Sequence, residues 1–175
     1  MSETIAPSPG SSQGPSLRKV LAVIACFVFV IFAVMLMSSC RTAWERMLRL
    51  DCQSNLSQLG ISCREFAATN NGRFPSTWVE LNYVGENTNW AKLLHCPTAG
   101  HDIGKWTQVD LWTDYRLLPG RTTNNSADTI LALEPLSNHG AAGANVLFVD
   151  GSTAWWPLSN LLGASDGIVT NSAIK

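Results

Sequence analysis

A chain of 175 residues with a net charge of -1 has room for one membrane anchor and one small globular domain, since about 100 residues remain once an anchor is set aside. Its basic residues are scattered, so charge gives no reason to expect nucleic acid as a partner. Seven Trp, each with a large apolar face and one N–H to satisfy, can compensate for a modest core.

Ser2 to Ser16 is rich in Ser, Pro and Gly, too polar to offset the entropy of ordering it, and predicts a disordered tail over 1–16. From Val20 to Met37 there is no charged residue, Gly or Pro, which predicts a transmembrane segment over 17–39. That run is longer than the apolar part of a plain signal peptide. Cys40 to Thr69 contains no Pro and a single Gly, at position 60, so the helix is expected to continue as an amphipathic segment over 40–70. About fifty helical residues would span roughly 75 Å. Arg18 and Lys19 precede the apolar run while Arg41, Arg46 and Arg49 follow it, so the charge rule does not favour a cytoplasmic N-terminus. Economy does, because everything able to fold lies after the helix. Leu36-Met37-Ser38-Ser39-Cys40 loosely resembles a bacterial lipoprotein box and makes Cys40 a candidate for lipidation.

Beyond the span, Trp44, Leu48, Cys52, Leu56, Leu59, Cys63 and Phe66 form an apolar stripe at helical spacing. Asn70-Asn71-Gly72 supplies residues for a left-handed cap, and Phe74-Pro75 prevents resumption. The remainder, 71–175, reads as a small α+β domain completed by the 40–70 helix. It begins with a short helix over Ser76 to Leu81, capped by Ser76 or Thr77 with Glu80, followed by a short turn or helix over Trp90 to Leu94. Strands are expected at Tyr115 to Leu118 and Thr129 to Leu133, joined by a polar loop. Asn145 to Val149 and Ser152 to Trp156 flank Asp150-Gly151, the two-residue signature of a type I′ hairpin. A short helix near Leu161 and a loose tail close the chain.

His139 and Asp150 are candidates for an acid–base or metal pair, set against a simpler reading in which His139 fixes the loop and Asp150 serves the turn. His95, Cys96, His101 and Asp102 cluster in sequence without the paired spacing of a zinc site. Cys52 and Cys63 lie about 16 Å apart along a helix and cannot bond to each other. Either can meet Cys96, which leaves Cys96 with Cys52, Cys96 with Cys63, or three buried free thiols.

In order, these features resemble the type IV pilin-like proteins and type II secretion pseudopilins, and most closely the planctomycete-type group ending in a His, about nine residues, Asp-Gly motif. The matching pieces are the apolar helix running into Cys52-Gln53-Ser54-Asn55-Leu56-Ser57-Gln58-Leu59-Gly60, then Asn71-Gly72-Arg73-Phe74-Pro75, Cys96-Pro97, and Glu134 to Gly151, with ten residues between His139 and Asp150. The resemblance implies an α+β pilin-like fold, a long N-terminal helix packed on a small antiparallel sheet. It implies a structural, non-catalytic role in a bacterial inner membrane, with other pilin-like subunits and inner-membrane assembly proteins as partners. It also suggests calcium, for which Asp110, Asp114, Asp128 and Glu134 are oxygen donors without the spacing of a calcium loop. The family's leader Gly and fifth-position Glu have no counterpart, since Gly14 is followed by Pro15 and then reaches Lys19, so an uncleaved anchor is expected. The reading from a different class is a cell-envelope binding lipoprotein, or an anchored domain that uses exposed Trp residues to hold a ligand.

Overall fold

The computed structural model describes residues 16–84 and 88–163. The expected tails, apart from Ser16, lie outside these residues. Two compact units divide the chain at Ala43 and Trp44.

Helix α1 covers Leu17–Thr69. In the first unit its apolar residues are exposed around the whole circumference, Phe29 at 71% for example, and this stretch is long and apolar enough to cross a membrane. Ser38 and Ser39 return their hydroxyls to the Met35 carbonyl, and Thr42 donates to the Ser38 carbonyl. The hydroxyls that follow the apolar run are therefore satisfied within the helix.

In the second unit α1 buries Cys52, Leu56, Leu59, Gly60, Cys63, Phe66 and Ala67. The stripe expected from Trp44 onward begins later: Trp44 is 58% exposed and Leu48 half-buried. The helix ends as its sequence requires, with Asn71 at φ 54° and Gly72 at φ 77°, and the Gly72 N–H reaching back to the Ala67 carbonyl at 2.9 Å.

Four strands, β1 (Arg116–Leu117), β2 (Ile130–Leu133), β3 (Gly143–Phe148) and β4 (Thr153–Pro157), form an antiparallel sheet in the order β1-β2-β3-β4. The chain is thus α+β, a long N-terminal helix and a small antiparallel sheet. One sheet face meets α1, and Leu131, Ala132 and Leu147 join Cys52, Leu56, Leu59, Cys63 and Phe66 in a single apolar cluster. The other face carries Ile130, Leu133, Ala144, Val146 and Phe148 and is covered by Leu161 of helix α4 (Leu158–Gly163). β3 is buried on both faces along its length.

The hairpin lies where Asp150-Gly151 places it, but it is not type I′. Phe148 and Ser152 pair through Phe148 N–H to the Ser152 carbonyl, so the loop has three residues, and only Gly151 is left-handed, at φ 86°. This is the form in which a turn is followed by a left-handed Gly and a bulge. Asp150 stabilises it by accepting the Ser152 N–H at 2.8 Å and hydroxyl at 2.6 Å.

The helix expected at Ser76–Leu81 is a 3₁₀ segment over Trp78–Val84, and its Glu80 carboxylate accepts the Ser76 N–H at 3.0 Å. Helix α2 covers Thr88–Leu93. The irregular Trp106 to Leu118 stretch holds a 3₁₀ turn at Trp106–Gln108 and a helical turn, α3, at Val109–Trp112 before β1.

Candidate functional site

The stripe on α1 delivers Cys52 to the interface with the sheet, where it meets Cys96 from the loop after α2, with Sγ to Sγ 2.8 Å apart. Hydrogen bonds shape the Cys96 loop: the Cys96 N–H donates to Asp114 Oδ2 at 2.8 Å, and Thr98 Oγ1 donates to the Asn138 carbonyl at 2.7 Å while lying 2.9 Å from Cys96 Sγ.

Glu134 follows β2 directly and His139 ends the 3₁₀ turn Leu136–His139, which Gly140 closes at φ 66°. Their side chains are fully buried, with His139 Nε2 3.4 Å from Glu134 Oε2 and 3.9 Å from Cys96 Sγ. Glu134 Oε1 accepts the Asn145 N–H at 2.6 Å, and Asn145 donates its side-chain amide to the Arg49 carbonyl on α1. Trp155 stands edge-on to His139, with the Arg49 guanidinium 4.2 Å over its ring.

Burial lowers the His139 pKa, but the Cys96 sulfur and the Glu134 carboxylate outweigh it and raise the value to about 9. Cys96 is held well below the usual thiol range, chiefly by the hydrogen bond from Cys52 and against its burial, with His139 and Thr98 adding to the effect. Cys63, buried elsewhere on the stripe, is pushed up to about 12 by burial alone.

The ligand atoms of Cys52, Cys96, Glu134 and His139 lie within 4.8 Å of one another. By residue type this is a thiol, imidazole and carboxylate set suited to a divalent transition metal, or to thiol chemistry. All four are buried, so they face one another and not an open cleft.

A second cluster lies beside the Cys96 loop. Asp114 sits 3.2 Å from His95 Nδ1 and 2.9 Å from His101 Nε2, and the three ligand atoms again fall within 4.8 Å. The His101 pKa is raised, first by Asp114 and then by the Asp102 carbonyl.

The site residues expected from sequence are therefore redistributed. His139 and Asp150 form no pair: Asp150 is exposed and serves the hairpin turn, while His139 is buried beside Glu134. His95 and His101 converge on the Asp114 carboxylate, and His101 also reaches the Asp102 carbonyl through Nδ1. The four oxygen donors considered for calcium have separate tasks. Asp110 accepts the Trp78 N–H, Asp114 serves the two His, Asp128 pairs with the Ser126 hydroxyl, and Glu134 is in the core. Cys96 meets Cys52 and not Cys63. Cys40 is exposed on α1.

Sequence reasoning missed the roles of Asn145, Asp114 and Arg49 and the union of Glu134 with His139. One signal was present: Glu134 is a lone charge after the apolar run Ile130 to Leu133, and a charge at the end of a buried strand requires a partner.

Compared with known proteins, the chain matches no family model, no curated protein and no solved structure.

Proposed function

We propose that the chain is a membrane-anchored, pilin-like structural subunit or accessory factor of a type II secretion or type IV pilus-type assembly, without catalysis. In this reading it is a single-pass protein of a bacterial inner membrane, with its N-terminus cytoplasmic and its domain periplasmic. One observation carries it: a single helix, Leu17–Thr69, supplies both an exposed apolar surface of membrane-spanning length and the buried spine of a small antiparallel-sheet domain. An anchor needed only to tether a domain has no reason to contribute six of the 18 buried residues in the apolar cluster between helix and sheet. Pilin-like subunits use the same helix for both purposes, offering its apolar part to neighbouring subunits.

The ligand-binding alternative relies on free tryptophans. Trp78 is buried with its N–H on the Tyr115 carbonyl, Trp112 donates to the Lys105 carbonyl, and Trp155 lies beneath Arg49. These three are occupied within the domain.

Chemical cross-linking of the full chain in native membranes, followed by identification of the products, tests the proposal. Adducts with pilin-like subunits or inner-membrane assembly proteins are expected. A chain that yields no such adduct and carries lipid on Cys40 would establish the lipoprotein reading instead.

A further inference from the structure

We propose that Cys52 and Cys96 are joined in the mature protein by a disulfide that fastens the α1 spine to the loop after α2, and that Cys26, Cys40 and Cys63 remain thiols.

The geometry of the pair carries the proposal. The two sulfurs are 2.8 Å apart, which leaves about 0.8 Å to close to a disulfide bond. Two thiolates on one tetrahedral zinc, with Zn–S near 2.3 Å, stand about 3.8 Å apart, about 1 Å wider than this pair, so the spacing of the sulfurs lies nearer to a disulfide than to a shared metal. His139 Nε2 lies 3.9 Å from Cys96 Sγ and has its own counter-ion in Glu134 at 3.4 Å, so the imidazole and carboxylate form a buried pair beside the sulfurs. Both sulfurs are fully buried, the Cys96 N–H is held by Asp114, and the Thr98 hydroxyl ties the loop to the Asn138 carbonyl, which keeps the pair aligned. The other cysteines have different surroundings: Cys26 and Cys40 are exposed on the apolar unit, and Cys63 is buried apart from them.

The bond forms by thiol–disulfide exchange with a disulfide donor, a small disulfide or a dithiol oxidase of the compartment outside the cytosol. One cysteine attacks a donor sulfur and releases the first donor thiol. The second attacks the mixed disulfide, forms the Cys52–Cys96 bond and releases the second donor thiol. Two protons and two electrons pass from the chain to the donor. Because the sulfurs are buried in the finished fold, exchange precedes docking of α1 on the sheet. The inference rests on the extracytoplasmic placement proposed above.

The test uses the full chain, acid-quenched from native cells, alkylated while denatured, and digested without reduction for mass spectrometry. A linked peptide pair containing Cys52 and Cys96 is expected, with Cys26, Cys40 and Cys63 alkylated. Alkylation of both Cys52 and Cys96, a bond from Cys63 to either, or stoichiometric zinc released from free thiols overturns it. Equilibration of the purified full chain in detergent with glutathione buffers, folded and in urea, separates causes. The folded chain should need at least about 100-fold more reducing buffer to open the bond than the unfolded one. A bond that is stable in this assay yet absent from cells places the domain in a reducing compartment, which refutes the placement and not the geometry.

Discussion

Gly60 of α1 and Leu147 of β3 touch so closely that a Cβ at position 60 would lie 2.7 Å from Leu147 Cδ1. The one glycine inside the amphipathic stretch therefore sets how near the spine approaches the sheet. Replacing it by Ala gains about 1 kcal/mol of helix propensity and meets about 1–3 kcal/mol of overpacking. Leu147 is fully buried and cannot swing clear, so packing wins and Gly60→Ala should cost about 1 kcal/mol net in urea unfolding. In a Leu147→Ala background the same change should become stabilising. That reversal in a double-mutant cycle locates the effect in this contact.

The hairpin depends on a second glycine for a different reason. Gly151 sits at φ 86°, and a Cβ there would lie 2.6 Å from the Arg64 guanidinium, whose Nη1 donates to the Asp150 carbonyl at 2.9 Å. Gly151→Ala should cost about 1–2 kcal/mol from the left-handed backbone alone. Gly151→Asn should cost less backbone strain, since Asn tolerates this region. Thermal unfolding of the two variants should therefore rank Asn above Ala.

Much of this fold was legible in the sequence because local rules and burial agree there. The apolar run, the Asn71-Gly72 cap, the strand at Ile130 to Leu133 and the position of the β3–β4 hairpin all follow from spacing and turn chemistry. The hairpin's form did not, because Asp-Gly serves both a two-residue turn and a turn plus bulge, and only the pairing of Phe148 with Ser152 decides between them. Helical spacing says which residues share a face and not where a neighbour covers it, so the covered part of the stripe starts beyond Trp44. The site was half legible. Cys52 and Cys96 were paired among alternatives by their positions, but the entry of His139 and Glu134 into the same core depends on the 3₁₀ turn that joins β2 to β3, a tertiary arrangement without a local signature.

Opening the Cys52–Cys96 bond should loosen the domain without unfolding it. The bond would close a loop of 44 residues, for which the chain-entropy relation gives about 4 kcal/mol, less whatever strain the bond carries. Cys52→Ala with Cys96→Ala should lower the urea midpoint of the domain transition by a corresponding amount. Adding reductant should lower the wild-type midpoint toward that of the double variant and leave the variant unmoved. Cys63→Ala should respond to reductant as wild type does.

The buried His139 gives stability a defined pH dependence. Its folded pKa is raised to about 9, burial working against the hydrogen bonds and charge of Cys96 and Glu134, whereas the unfolded chain titrates near 6.5. A raised folded pKa means that the native state binds the proton more tightly, so the contribution is complete below about pH 6.5 and is lost as the pH rises through about 9. With the thiols kept reduced, the stability difference between wild type and His139→Gln should be largest at pH 6 and shrink steadily to pH 10. Chemical unfolding at fixed ionic strength measures it. A difference that stays constant across that range would mean His139 is neutral in the core and that Glu134 is balanced by another group.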